Sequence, residues 1–128
     1  MLKKKILAVD DEEDFLKIIK LNLEVTGKYE VLTLPTAKDI IAQAKNFKPD
    51  VILLDLLMPG IGGIEACKRL KEDLPKKDTP IIILSALDKD EDKLKAYKEG
   101  IVDYITKPIE APELIAKIEK VLEYKQGQ

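Results

Sequence analysis

Five short apolar runs, each followed by a stretch with helical periodicity, leave this chain very few folds. The runs are Ile6–Val9, Tyr29–Leu34, Val51–Leu54, Ile81–Leu84 and Val102–Ile105. Val51-Ile52-Leu53-Leu54 and Ile81-Ile82-Ile83-Leu84 contain no polar residue. Short runs without alternation read as strands covered on both faces, as in a parallel sheet. Between the runs, Phe15, Ile19 and Leu23 form an apolar stripe with Lys17, Lys20 and Glu24 off it. Ala37, Ile40, Ile41, Ala44 and Phe47 form a second, and Leu114, Ile118, Val121 and Leu122 a third. Leu94 and Tyr97 mark a weaker stripe in the segment 88–99. These spacings follow the helical turn. Gly27 and Gly100 stand where helices should end, and Thr36 and Asp88 where N-caps belong. Pro49, Pro80 and Pro108 punctuate loops beside strands. The pattern predicts an α/β fold of the (βα)₅ kind. Helices should cover both faces of a parallel sheet, with right-handed crossovers.

A chain of 128 residues with 45% hydrophobic content builds one core and has no room for a second. The expectation is a single domain over 1–128, its core at about 4–123, with 124–128 a frayed tail or truncated linker. Charged residues make up 36%, yet the formal net charge is only -2. A dedicated nucleic-acid binder needs a basic excess, so none is expected. The absence of His excludes Ser-His-Asp triads, Cys-His pairs and His-bearing zinc sites. One cysteine, Cys67, precludes an internal disulfide and suits a reducing compartment. Set among Ile64, Ala66 and Leu70, it reads as a small buried apolar group. The basic start is followed by too few apolar residues for a signal peptide, and no run is long enough to span a membrane. A soluble, cytoplasmic protein is expected.

Open parallel sheets bind ligands beyond the carboxyl ends of their strands. After the first run come Asp10 and Asp11, then Glu12 and Glu13; after the third, Asp55; after the fourth, Ser85; after the fifth, Thr106 and Lys107. If these strands are neighbours, their ends converge. Clustered carboxylates repel, and a hard divalent cation such as Mg²⁺ relieves them while joining phosphate to protein. Lys107 adds a point charge for a carboxylate or a phosphoryl oxygen, and Ser85 a hydroxyl donor. Plainer explanations exist for each. Acids 10–13 also suit a helix N-terminus. Ser85 alone reads as a turn residue, Lys107 as surface, and Tyr104 as an ordinary half-buried aromatic. Asp55 resists such a reading, because a carboxylate closing a buried strand needs a partner.

The residues Ile6-Leu7-Ala8-Val9-Asp10-Asp11-Glu12, Asp50-Val51-Ile52-Leu53-Leu54-Asp55-Leu56-Leu57-Met58-Pro59-Gly60, Pro80-Ile81-Ile82-Ile83-Leu84-Ser85-Ala86 and Gly100-Ile101-Val102-Asp103-Tyr104-Ile105-Thr106-Lys107-Pro108 together resemble the receiver domain of two-component response regulators. The spacing fits as well: 45 positions from Asp10 to Asp55, 30 to Ser85 and 22 more to Lys107. The resemblance implies a flavodoxin-like three-layer sandwich with sheet order 2-1-3-4-5. It implies Asp55 as phosphoacceptor, and Asp10, Asp11, Asp55 and the main-chain carbonyl of Leu57 as ligands of Mg²⁺, with Mn²⁺ as a substitute. It also implies Ser85 and Lys107 as holders of the phosphoryl oxygens, and a cis Lys107–Pro108 bond. Ser85 and Tyr104 would be the switch residues. They would act on the surface formed by the segment 88–99, the fifth strand and the C-terminal helix. The donor would be the phosphohistidine of a sensor histidine kinase or phosphotransfer protein. The reader would be a downstream effector or a separate output domain, and a phosphorylation-dependent homodimer fits the same surface. Such a domain catalyses only its own phosphorylation and dephosphorylation.

Two other readings compete. An aspartyl-nucleophile phosphatase usually carries Asp-x-Asp after the first strand, whereas Asp10 and Asp11 are adjacent. A receiver-like interaction module that no longer takes phosphate would have lost part of the set Asp10, Asp11, Asp55, Ser85 and Lys107, which is complete here. A flavin site is disfavoured, because no Ser/Thr/Gly-rich phosphate loop follows the first strand. The sequence departs from many members at Leu57 and Leu87, two positions after Asp55 and Ser85, where polar residues are common. Two apolar groups there cannot orient an attacking water, so self-dephosphorylation should be slow. A Leu57→Asn, Leu87→Glu double variant is expected to lose phosphate faster than wild type. The decay rate of phosphorylated protein followed by intact mass checks this.

Overall fold

The computed structural model describes residues 2–55, 63–74, 79–85 and 103–126. Within them are five strands: β1 (Lys4–Val9), β2 (Tyr29–Leu34), β3 (Val51–Asp55), β4 (Ile81–Ser85) and β5 (Asp103–Thr106). The helices are α1 (Glu13–Glu24), α2 (Ile40–Phe47), α3 (Gly63–Asp73) and α4 (Ala111–Gln126). The expected helical segment 88–99, with Asp88 and Gly100 at its ends, lies outside the described residues, as does Val102. The strands form one sheet in the order β2-β1-β3-β4-β5, and every neighbouring pair is parallel. This is the flavodoxin-like order.

The unbroken apolar runs follow from a sheet buried on both sides. Alternate residues of a strand point to opposite faces. Leu7, Val9, Ile52, Leu54, Ile81 and Ile83 meet Ile40 and Ala44 of α2 and Ala66, Cys67 and Leu70 of α3. Ile6, Ala8, Val51, Leu53, Ile82 and Leu84 meet Leu16, Ile19 and Leu23 of α1 and Leu114, Ile118 and Leu122 of α4. Adjacent Leu53 and Leu54 thus serve different layers, and burying each contributes about 1.5–3 kcal/mol. Cys67 is buried in the α2–α3 layer.

Two local expectations change. In α1 the buried stripe is Leu16, Ile19 and Leu23, while Phe15 is only half-buried because it lies at the sheet's carboxyl edge beside Lys107. Thr36 does not cap α2. Its Oγ1 accepts the Lys38 N–H at 3.2 Å, and the Ala37 carbonyl accepts the Ile40 N–H at 3.2 Å, so a tight turn precedes the helix. Gly27, at φ +78°, closes the turn after α1 by donating its N–H to the Glu24 carbonyl at 3.1 Å.

The β2 edge is shielded by side chains of α1. The Val31 N–H donates to Glu24 Oε2 at 3.0 Å, and Lys20 Nζ donates to the Val31 carbonyl at 2.6 Å. An unpaired strand edge invites pairing with another chain, and these contacts occupy it at Val31. The Val31 N–H outweighs partial desolvation and holds the Glu24 carboxyl below its ordinary value. Its stabilising contribution is therefore present near neutrality and is lost as pH falls through that depressed value.

α2 ends on Lys48, a non-glycine residue in the left-handed region (φ 56°), whose N–H donates to the Ala44 carbonyl at 2.9 Å. An L-residue there costs about 1–2 kcal/mol. Glycine removes that cost but adds about 0.4–1 kcal/mol of unfolded-chain entropy. Lys48→Gly is expected to stabilise the protein by roughly 0.5–1 kcal/mol, measured by urea denaturation.

Candidate functional site

The parallel sheet brings the ends of β1, β3, β4 and β5 to one edge. Asp10 directly follows β1, with its N–H held by the Leu34 carbonyl at 3.1 Å. It is completely buried. Asp55 is the last residue of β3 and is also buried, while Asp11 is exposed. Ser85 ends β4 in register with Thr106 of β5, but its side chain lies outside the described residues. Leu57 and Leu87 lie outside them as well. The Lys107–Pro108 bond after β5 is cis. Tyr104, on β5, is half-buried and packs against the α2–α3 layer.

Lys107 closes the arrangement. Its Nζ lies 2.6 Å from Asp10 Oδ2, 2.6 Å from Glu12 Oε1 and 3.8 Å from Asp55 Oδ2. It also lies over the Phe15 ring, 4.6 Å from the centroid, a cation–π distance. Burial alone would lower the ammonium's pKa. The close contacts it makes with the Asp10 and Glu12 carboxylates, with the charge of Asp55, more than reverse this and hold it above its ordinary value. A groove of about 400 Å³, lined by Glu12, Phe15, Ile18, Lys107, Pro108 and Leu114 among others, adjoins the lysine.

Two residues here escaped the sequence reading. Glu12 was visible as one acid in a run of five, but its partner Lys107 is 95 positions away. Phe15 carried a core signal, and nothing local pointed its ring at a cation.

The acidic cluster suits a divalent cation. Asp10, Asp11 and Asp55 each offer a carboxylate oxygen, and the three atoms lie within 4.8 Å of one another. Ligands of one octahedral Mg²⁺, at about 2.1 Å from the ion, are separated by roughly 3–4 Å, so only a small contraction is needed. Asp10 Oδ2 is fully buried, and no directed hydrogen bond to it is made among the described residues. Its described contact is the charge of Lys107. Among the described residues, the carboxylates of Asp10, Glu12 and Asp55 face the Lys107 ammonium and that of Asp11 lies beside Asp10 and Asp55, an excess of negative charge that a dication neutralises.

Removing the lysine leaves a buried carboxylate without its counter-charge. Lys107→Met is expected to destabilise the metal-free protein by about 2–4 kcal/mol at neutral pH, measured by urea denaturation. A raised lysine pKa stabilises the fold below the unfolded value of about 10.5 for as long as its carboxylate partners are ionised. The deficit of the variant should therefore be constant through neutrality and shrink as pH rises above that value.

Residues 6–119 match the family described as the response regulator receiver domain. The phosphate regulon transcriptional regulatory protein PhoB of Pseudomonas aeruginosa is 42% identical over 122 residues, covering 95% of this chain and 53% of that protein. The alkaline phosphatase synthesis transcriptional regulatory protein PhoP of Bacillus subtilis is 39% identical over 121 residues, covering 94% and 49%. The chain thus spans about half the length of these curated relatives. A CheY-like receiver domain protein from Methanospirillum hungatei superposes with a TM-score of 0.91 at 27% identity, covering 98% of each chain. Among the described residues, no helix is long and apolar enough to cross a membrane. With its sheet order, its acidic edge and this match over most of its length, the chain belongs to the response regulator receiver domain family.

Proposed function

We propose that Asp55 accepts a phosphoryl group, in a reaction that depends on a divalent cation, and that the acyl phosphate switches a surface read by another domain or protein. The observation that carries this reading is the gathering of Asp10, Asp11 and Asp55 within 4.8 Å of one another, with Lys107 3.8 Å from Asp55. An acidic site this concentrated repels a phosphate unless cations intervene. Mg²⁺ or Mn²⁺, when bound, supplies positive charge against the carboxylates and the phosphoryl oxygens.

Asp10, Asp11 and Asp55, with the Leu57 carbonyl, are the residues that would hold the ion. An Asp55 carboxylate oxygen attacks phosphorus in line, forming a P–O bond as the bond to the donor breaks. The leaving imidazole of a partner's phosphohistidine keeps the electron pair and takes up a proton. Lys107 stabilises charge on the transferring oxygens, and the Ser85 hydroxyl donates to one of them. Water later attacks phosphorus, releasing inorganic phosphate and restoring the carboxylate. With no His among these 128 residues, the donor lies outside them, as the phosphohistidine of a histidine kinase or phosphotransfer protein or as a small acyl phosphate. Ser85, drawn toward the new oxygen, and Tyr104 on β5 would carry the change to the surface around β5 and α4. An effector or a further domain would read that surface.

Intact-mass analysis after incubation with acetyl phosphate and Mg²⁺ tests the proposal. Wild type is expected to gain one phosphate-sized increment, abolished by chelator, while Asp55→Asn gains none. Equal labelling of both proteins would remove Asp55 from its role. No labelling of wild type would favour an interaction module, and sustained turnover of a phosphomonoester would favour a phosphatase.

A further inference from the structure

We propose that Glu12 is a positioning residue that latches Lys107 on the β1–α1 side of the site, so that phosphorylation proceeds by exchanging the Glu12 carboxylate for a phosphoryl oxygen. The inference rests on the reading of Asp55 as phosphoacceptor and adds a role for a neighbouring acid.

The resting ammonium is committed elsewhere. It makes contacts of 2.6 Å with both Asp10 and Glu12 and lies over the Phe15 ring, while Asp55 Oδ2 is 3.8 Å away, beyond hydrogen-bond range. To serve an oxygen carried on Asp55, Lys107 gives up one short contact. Asp10, with no solvent exposure, needs a cation beside it at every stage, the lysine or the bound metal, whereas the Glu12 side chain is 62% exposed and rehydrates as it leaves. Glu12 is therefore the contact that exchanges, one anion for another.

The local structure of Glu12 supports an assigned task. It occupies the N-cap of α1, where a short side chain ordinarily accepts a helix N–H, yet it makes no side-chain capping bond. Its backbone is held at both ends. The Glu12 N–H donates to Asp10 Oδ1 at 2.9 Å, and the Glu12 carbonyl accepts the Leu16 N–H at 3.1 Å. Only the side chain is left to swing, and it reaches the lysine instead of the helix. A helix start that forgoes its cap for a contact 95 positions away gives up local stability for the site.

Glu12→Gln keeps the size and removes the charge. With beryllofluoride as the phosphoryl mimic and Mg²⁺ present, the variant is expected to bind about 2–5-fold more tightly than wild type, the range of an exposed ion pair. In the metal-free protein, exchange of the Lys107 ammonium protons with water, read by nitrogen-15 NMR, should speed up. Glu13→Gln, which removes a neighbouring charge from the same helix start, should change neither measurement. Equal or weaker binding by Glu12→Gln, unchanged ammonium exchange, or an equal gain in Glu13→Gln would overturn the latch while leaving the phosphoacceptor reading intact. If wild type, Glu12→Gln and Asp55→Asn all fail to bind beryllofluoride, the phosphoacceptor reading itself falls, and the latch with it.

Discussion

A fully buried carboxylate cannot stay ionised without a counter-charge, and for Asp10 that charge arrives from the far side of the sheet. β5 is the third neighbour of β1. Strands about 4.8 Å apart would place their ends roughly 14 Å from each other in a flat sheet. The chain after Thr106 and the length of the Lys107 side chain close that gap to 2.6 Å. The ion pair thus ties the last strand to the first across the edge where β3 delivers Asp55. Every other feature of the site is organised around it: the ring of Phe15, the reach of Glu12 and the spacing of the three aspartates.

That edge is polar because the rest of the sheet is not. The core strands are covered on both faces, one by α2 and α3, the other by α1 and α4. Charged side chains have no place inside such a sandwich unless paired, so the strand ends are where acids can collect. The same two-sided burial makes the platform stiff. Side chains mounted on strand ends are held closely, and an added phosphoryl group perturbs contacts rather than the framework.

Among the described residues, the site combines more negative charge than Lys107 balances, a condition that favours a small hard cation. The lysine rests against Asp10 and Glu12 rather than against Asp55, and of these two partners Glu12 is the one at the solvent boundary. The resting geometry thereby links the helix start at Glu12 to the strand end at Asp55 through one cation.

Much of this was legible in the residues alone. Unbroken runs such as Val51–Leu54 announce strands buried on both faces, since only a parallel sheet under two helical layers hides every side chain. Asp10, Asp11, Asp55 and Lys107 each stand just at or beyond a run, and the carboxyl ends of parallel strands share an edge, so their convergence followed from the order of elements. Local spacing could not say which carboxylates the lysine would choose, because that depends on a contact across three strand positions. Nor could it reveal that Phe15 turns from core stripe to cation platform, that Thr36 yields its cap to a turn, or that Glu12 leaves the α1 cap unmade. Those choices are made where distant segments meet, by burial and charge that exist only once the sheet has closed.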